Sequence, residues 1–169
     1  MSNTMEDSLH TLRDLIKDIK FAMFTTRTSD GTLVSRPLTT QALNSDDPST
    51  LWFFISKAGG VLNDITGDHH VGISYADPGK DTYVSVSGKV VLDDSLEHKK
   101  ALWSPMNQAW FPNGPSDPDV ALLRVDIKRA HYWDVQKNKL TQLYDYAIAA
   151  LTGSQPRDLG ESVEVEVER

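Results

Sequence analysis

The sequence predicts a mainly β (α+β) fold, an antiparallel barrel with flanking helices. Three observations lead there. Short runs rich in β-branched and aromatic residues follow one another with turn signals between them. Helical patterns are few and fall at the beginning, middle and end of the chain. The regular strand–helix alternation that builds a parallel sheet is missing. At 169 residues, the chain suits one domain with a buried core.

The elements read as follows. Leu9, Leu12, Ile16 and Ile19 recur at helical spacing, so an amphipathic helix is expected over about 5–19. "FAMFTTRT" and "TLVSRPLTTQAL" are strand-like and joined at Ser29-Asp30-Gly31, a hairpin signal. "NSDDPS" is a loop, "TLWFFIS" a third strand and "VLNDITGD" a short helix ending at Gly67. "HVGISYA" and "TYVSVSGKVVL" are strands on either side of the turn Asp77-Pro78-Gly79-Lys80. "SLEHKKALW" is a helix stopped by Pro105, and "NQAWFPNGPSDPD" a loop. "ALLRVDI" and "AHYWDV" are strands, Lys137-Asn138 a turn, "KLTQL" a last strand and "YDYAIAAL" a helix. The stretch 153–169, including "ESVEVEVER", is expected to be a polar, flexible tail to a domain spanning 1–152.

Composition narrows the function. No apolar run approaches the ~18 residues of a membrane span, and "MSNTMEDSLHTLRDL" does not resemble a secretion signal, so a cytoplasmic location is expected. The absence of cysteine excludes disulfides, thiol nucleophiles and cysteine–metal sites. A net charge of −7 argues against nucleic acid. His69 and His70 are adjacent in a strand and point to opposite faces, while His10, His98 and His131 have no ligand-like spacing, so no metal site is expected. There is no Gly-x-Ser-x-Gly elbow, and the serines of "VSVSG" alternate as solvent-facing residues do.

Two places carry chemistry. In "LVSRPLTTQ", Pro37 holds Arg36 extended and marks an edge strand. An oriented Arg grips a phosphate with two parallel hydrogen bonds, or simply protects a strand edge. In "FFISKAGG" a buried-looking strand turns polar at Ser56-Lys57 and then loses its side chains at Gly59-Gly60, as a phosphate site or a plain surface turn would. The aromatic clusters Trp52-Phe53-Phe54, Trp110-Phe111 and Tyr132-Trp133 read as core or, where a loop holds them, as a surface for a planar ligand.

"FAMFTT", "SRPLTTQ", "LWFFIS", "VGISYADPGKDTYVSVSGKVVL", "LWSPMNQAWFPNGPSDPDVALLRV" and "AHYWD" together resemble the bacterial general stress proteins. These belong to the pyridoxamine 5'-phosphate oxidase-like group of FMN-binding split barrels. The resemblance covers about 10–152. It implies a homodimer of split barrels with FMN in two clefts along the interface. It implies that Arg36, Pro37 and Leu38 contact the flavin and its phosphate, and that Phe54, Ile55 and Ser56 line the next strand. Tyr83 matches a position near the ring or ribityl chain, and Trp110 and Trp133 match aromatics reaching the flavin from the partner subunit. The family's phosphate-gripping lysine is expected at the place of Val61, with Lys57 and the backbone of Gly60 as substitutes. The implied activity is a flavin-dependent oxidoreductase with a reduced nicotinamide donor; the alternative is a non-enzymatic protein that buffers or senses flavin through a weakened phosphate site. The Arg–His pair that true pyridoxamine phosphate oxidases use for substrate is missing from "KNKLTQLYDYA".

Overall fold

The computed structural model describes residues 3–41, 47–134, 147–153 and 161–167. Helix α1 (Asn3–Ile19) buries Leu9, Leu12 and Ile16 along one stripe. It ends at Lys20, whose φ of 70° turns the chain into β1 (Phe21–Arg27). A tight turn with Gly31 at φ 87° returns it as β2 (Leu33–Thr39). Then come β3 (Thr50–Ser56), α2 (Val61–Gly67), β4 (His70–Asp77) and β5 (Thr82–Asp93). Two short helices, α3 (Leu96–Leu102) and α4 (Pro105–Trp110), precede the long β6 (Val120–Asp134); β7 is Glu161–Glu166.

All seven strands form one sheet in the order β2-β1-β4-β5-β6-β3, with β7 also paired to β6. Every pairing is antiparallel. The two outer strands of this order approach each other: Thr40 bridges Phe53, and the Gln41 N–H donates to the Trp52 carbonyl at 2.9 Å. Among the described residues they do not pair further, so the sheet curls without closing. Strand β5 alternates buried and exposed residues along its length, which places Thr82, Val84, Val86 and Val90 inside and Tyr83, Ser85, Ser87 and Lys89 outside. A register shift falls between Ser87 and Gly88. The core holds Phe24 edge-on to Phe53 at 5.2 Å, with α1 and α2 covering it. A smaller cluster of Phe54, Val120 and Leu122 packs with Trp52, Leu102, Trp103 and Phe111.

Three expectations change. The end of the chain is not a loose tail: β7 pairs with residues Arg129–Asp134, and its Val165 reaches the core, as does Val167 just beyond it. The Val–Glu alternation of "ESVEVEVER" is the period of a half-buried strand. "ALLRVDI" and "AHYWDV" fall, as far as Asp134, in one strand, because Arg129 resumes the ladder opposite Ser87 and Lys128 is accommodated as an extra residue at the register shift. The start of the expected loop, 107–110, is helical, part of α4, with Pro105 at the first turn, where its missing N–H costs nothing. Lys137-Asn138 and "KLTQL" lie outside the described residues; 147–152 is helical, overlapping the helix expected over 144–151.

Candidate functional site

On either side of an antiparallel bridge, residues that precede it on one strand lie alongside residues that follow it on the other. From Thr40–Phe53, Leu38, Pro37 and Arg36 therefore recede along β2 while Phe54, Ile55 and Ser56 recede along β3. Among the described residues, no strand pairs with either edge beyond this bridge. The result is a gap whose lips carry six of the sequence-predicted site residues, with the turn Lys57–Gly60 and α2 at its end.

Arg36 lies on the first lip. It pairs with Phe24, so its side chain projects to the inner side of the sheet, toward α2. Its Nη1 donates to Thr26 Oγ1 at 2.7 Å, and Thr26 Oγ1 donates to Asp64 Oδ2 at 2.7 Å. Its Nη2 lies 3.4 Å from the same carboxylate oxygen. The guanidinium is 22% exposed and has five N–H donors, two of them engaged here. Arg36 is both fixed in direction and available along its outer edge.

On the second lip, Phe54 and Ile55 are buried on opposite faces of β3, so only their main chain borders the gap. Ser56 Oγ donates to Asp119 Oδ2 at 2.6 Å, and the Ala58 N–H donates to Asp119 Oδ1 at 3.0 Å. The N–H groups of Lys57 and Gly59 donate to the carbonyls of Asp119 and Ser56. Lys57 Nζ points to Asp94 Oδ2 at 3.0 Å, and Asp94 Oδ1 also receives Lys99 Nζ, a buried ammonium that donates to the Val120 carbonyl as well. The two lysines, Lys99 foremost, hold the Asp94 carboxyl below its ordinary range.

Val61 is 6% exposed and packs in the core with Ile65. Its side chain is turned into the core and does not face the gap. Gly60 is exposed, and a Cβ there would meet nothing within 4 Å. A long cation at the start of α2 fits Gly60, not Val61.

The aromatic candidates stand elsewhere. Tyr83 and Trp133 are directly opposed on β5 and β6, and both are exposed on the outer face, Trp133 at 40%. Arg36 projects to the inner side, so one chain does not bring them together. Trp110 closes α4 and is 76% exposed. Sequence reasoning missed Thr26, Asp64, Asp94, Lys99 and Asp119; Asp64, Asp94 and Asp119 lie 28, 37 and 63 residues along the chain from Arg36, Lys57 and Ser56, the site residues they hold, and no local spacing signals those pairings. It also missed His131, which stacks on Trp133 at 4.0 Å. Among the described residues there is no metal-binding cluster, and no helix is long and apolar enough to cross a membrane.

Comparison with known proteins places this geometry. The family model described as "Pyridoxamine 5'-phosphate oxidase like" matches residues 7–157. Protein bli-3 of Neurospora crassa is 31% identical over 160 residues, covering 88% of this chain and 75% of that protein. A general stress protein 26 from Jannaschia sp. CCS1 superposes with a TM-score of 0.76 at 26% identity, covering 96% of this chain and 99% of that one. The general stress FMN/FAD binding protein of Xanthomonas citri superposes with a TM-score of 0.66 at 28% identity, covering 76% and 89%. The chain belongs to the pyridoxamine 5'-phosphate oxidase-like family and is, within it, a relative of the general stress proteins.

Proposed function

We propose that this protein binds FMN as a homodimer and acts as a flavin-dependent oxidoreductase drawing on a reduced nicotinamide. The observation that carries the reading is the gap between β2 and β3, with an oriented, partly exposed Arg36 on one lip and the Ser56–Gly60 turn on the other. The likeness to a protein described as binding FMN or FAD supports it.

The residues present fit a flavin phosphate in part. Arg36 keeps free donors toward the gap, and Gly60 leaves room beside it. Pro37 and Leu38 would border the ribityl chain, with the main chain of Phe54, Ile55 and Ser56 across from them. Tyr83, Trp133 and Trp110 are exposed aromatics suited to the ring. Because Arg36 and the Tyr83–Trp133 pair project from opposite sides of the sheet, a second copy supplies the aromatic half, which is the argument for a dimer. FMN, when bound, supplies electron transfer to and from its ring, and the protein supplies placement and exclusion of water.

A second reading is a flavin carrier or sensor without turnover. It is favoured by one feature: the cations nearest the gap, Arg36 and Lys57, are each paired with a carboxylate, which weakens the grip on a phosphate. Steady-state oxidation of reduced nicotinamide by the FMN-loaded protein separates the two. Turnover above that of free FMN supports the oxidoreductase; binding with no added turnover supports the carrier.

A further inference from the structure

We propose that His131 and Ser162 are positioning residues that hold the Trp133 indole flat for the flavin ring, an inference that rests on the reading of Trp133 given above. The family match ends at residue 157, and β7 (Glu161–Glu166) lies beyond it. This strand is nonetheless firmly seated. Val165 and Val167 are buried, and on the outer face Arg129 pairs with Glu164 at 3.4 Å and with Glu166 at 2.9 Å.

The register brings β7 to the aromatic half of the site. Trp133 stands opposite Tyr83 on one side and Ser162 on the other. His131, two residues before Trp133 and so on the same face of the strand, lies parallel to the indole, with ring centres 4.0 Å apart and planes within 12°. Its Nε2 is 2.6 Å from Ser162 Oγ. An indole on an exposed strand face turns about two side-chain torsions. Here the imidazole covers one face of it, and the Ser162 hydroxyl stops the imidazole from turning in its place. What remains is the opposite face of Trp133, held as a flat platform beside Tyr83. The stretch that reads as a loose tail in the sequence thus supplies the part that orders this platform.

The test uses the full chain, with dissociation constants for FMN and riboflavin from flavin fluorescence and unfolding temperatures measured alongside. The variants are Trp133→Ala, His131→Ala, Ser162→Ala and Ser162→Thr, with His131→Ala and Ser162→Ala repeated in the Trp133→Ala background. The expected result is that His131→Ala and Ser162→Ala each weaken both flavins equally, by about three- to tenfold. Ser162→Thr keeps the wild-type affinity, and neither alanine has a further effect once Trp133 is gone. Wild-type affinity in His131→Ala and Ser162→Ala, with Trp133→Ala weakened, overturns the positioning role. Losses that persist in the Trp133→Ala background also overturn it, because they show a general structural effect. Unchanged binding in Trp133→Ala removes the reading of Trp133 itself, and the proposal with it.

Discussion

Arg36 and Asp64, 28 residues apart in sequence, meet with Nη2 3.4 Å from Oδ2, and both bond the hydroxyl of Thr26. Thr26, which carries that shared hydroxyl, is 1% exposed, so the three groups form one partly buried polar chain. Thr26→Val keeps the shape and removes the link. It should lower stability by about 1–3 kcal/mol, the cost of leaving buried polar partners unmet. Urea denaturation of the two proteins measures this, and an unchanged midpoint contradicts it.

The start of α2 makes a contrast between neighbours. Gly60 has φ −63° and open space at its Cβ position, so Gly60→Lys should fold normally and bring a cation to the gap. A new charge-assisted contact of about 1.5–3 kcal/mol tightens FMN roughly ten- to a hundredfold and leaves riboflavin unchanged. Val61→Lys instead drives an ammonium into the core and should lower the unfolding temperature sharply. Thermal melts and flavin titrations of both variants check the contrast.

Asp94 links the fold to pH. Lys99 at 2.8 Å and Lys57 at 3.0 Å hold its carboxyl below the ordinary 3.8. A carboxyl with a lower value in the folded chain stabilises the fold above its unfolded value, and that contribution is lost as pH falls through the folded value. Wild-type stability should therefore drop below about pH 4. Asp94→Asn should be less stable at neutral pH, since buried Lys99 loses its carboxylate, and the gap to wild type should narrow as acid is added. Unfolding temperatures between pH 3 and 7 test the sign.

Gly88 sits at the register shift of β5, where an added Cβ would lie 2.7 Å from the Asp126 carbonyl oxygen and 2.7 Å from Val125 Cγ1. Backbone cannot yield cheaply there. Gly88→Ala should cost about 1–3 kcal/mol, which for a chain of this size is a drop of several degrees in unfolding temperature.

Much of the fold is legible because strand alternation is local. The pattern of "TYVSVSGKVVL" by itself assigns the faces of β5, and the stripe of Leu9, Leu12 and Ile16 does the same for α1. Arg36, Pro37 and Leu38 could be placed on an edge strand because a proline excludes the middle of a sheet. What was not legible depends on distant partners. Glu161–Glu166 counts as a strand only because β6 runs on far enough to accept it, and its acidic composition hides this. That α2 directs the Val61 side chain to the core is set by the packing of the helix and by no signal in "GGVLND". The pairing of Lys57 with Asp94, across 37 residues, follows from how α3 packs and from no spacing in the chain.

The account rests on a flavin phosphate held at Arg36. Titrating the protein with FMN and with riboflavin, alongside Arg36→Ala and Lys57→Ala, tests this most directly. The account predicts tighter binding of FMN than of riboflavin, with that margin reduced about ten- to a hundredfold in Arg36→Ala and far less in Lys57→Ala, whose ammonium already rests on Asp94. Equal affinity for both flavins in the wild type, or an FMN margin untouched by Arg36→Ala, would contradict it.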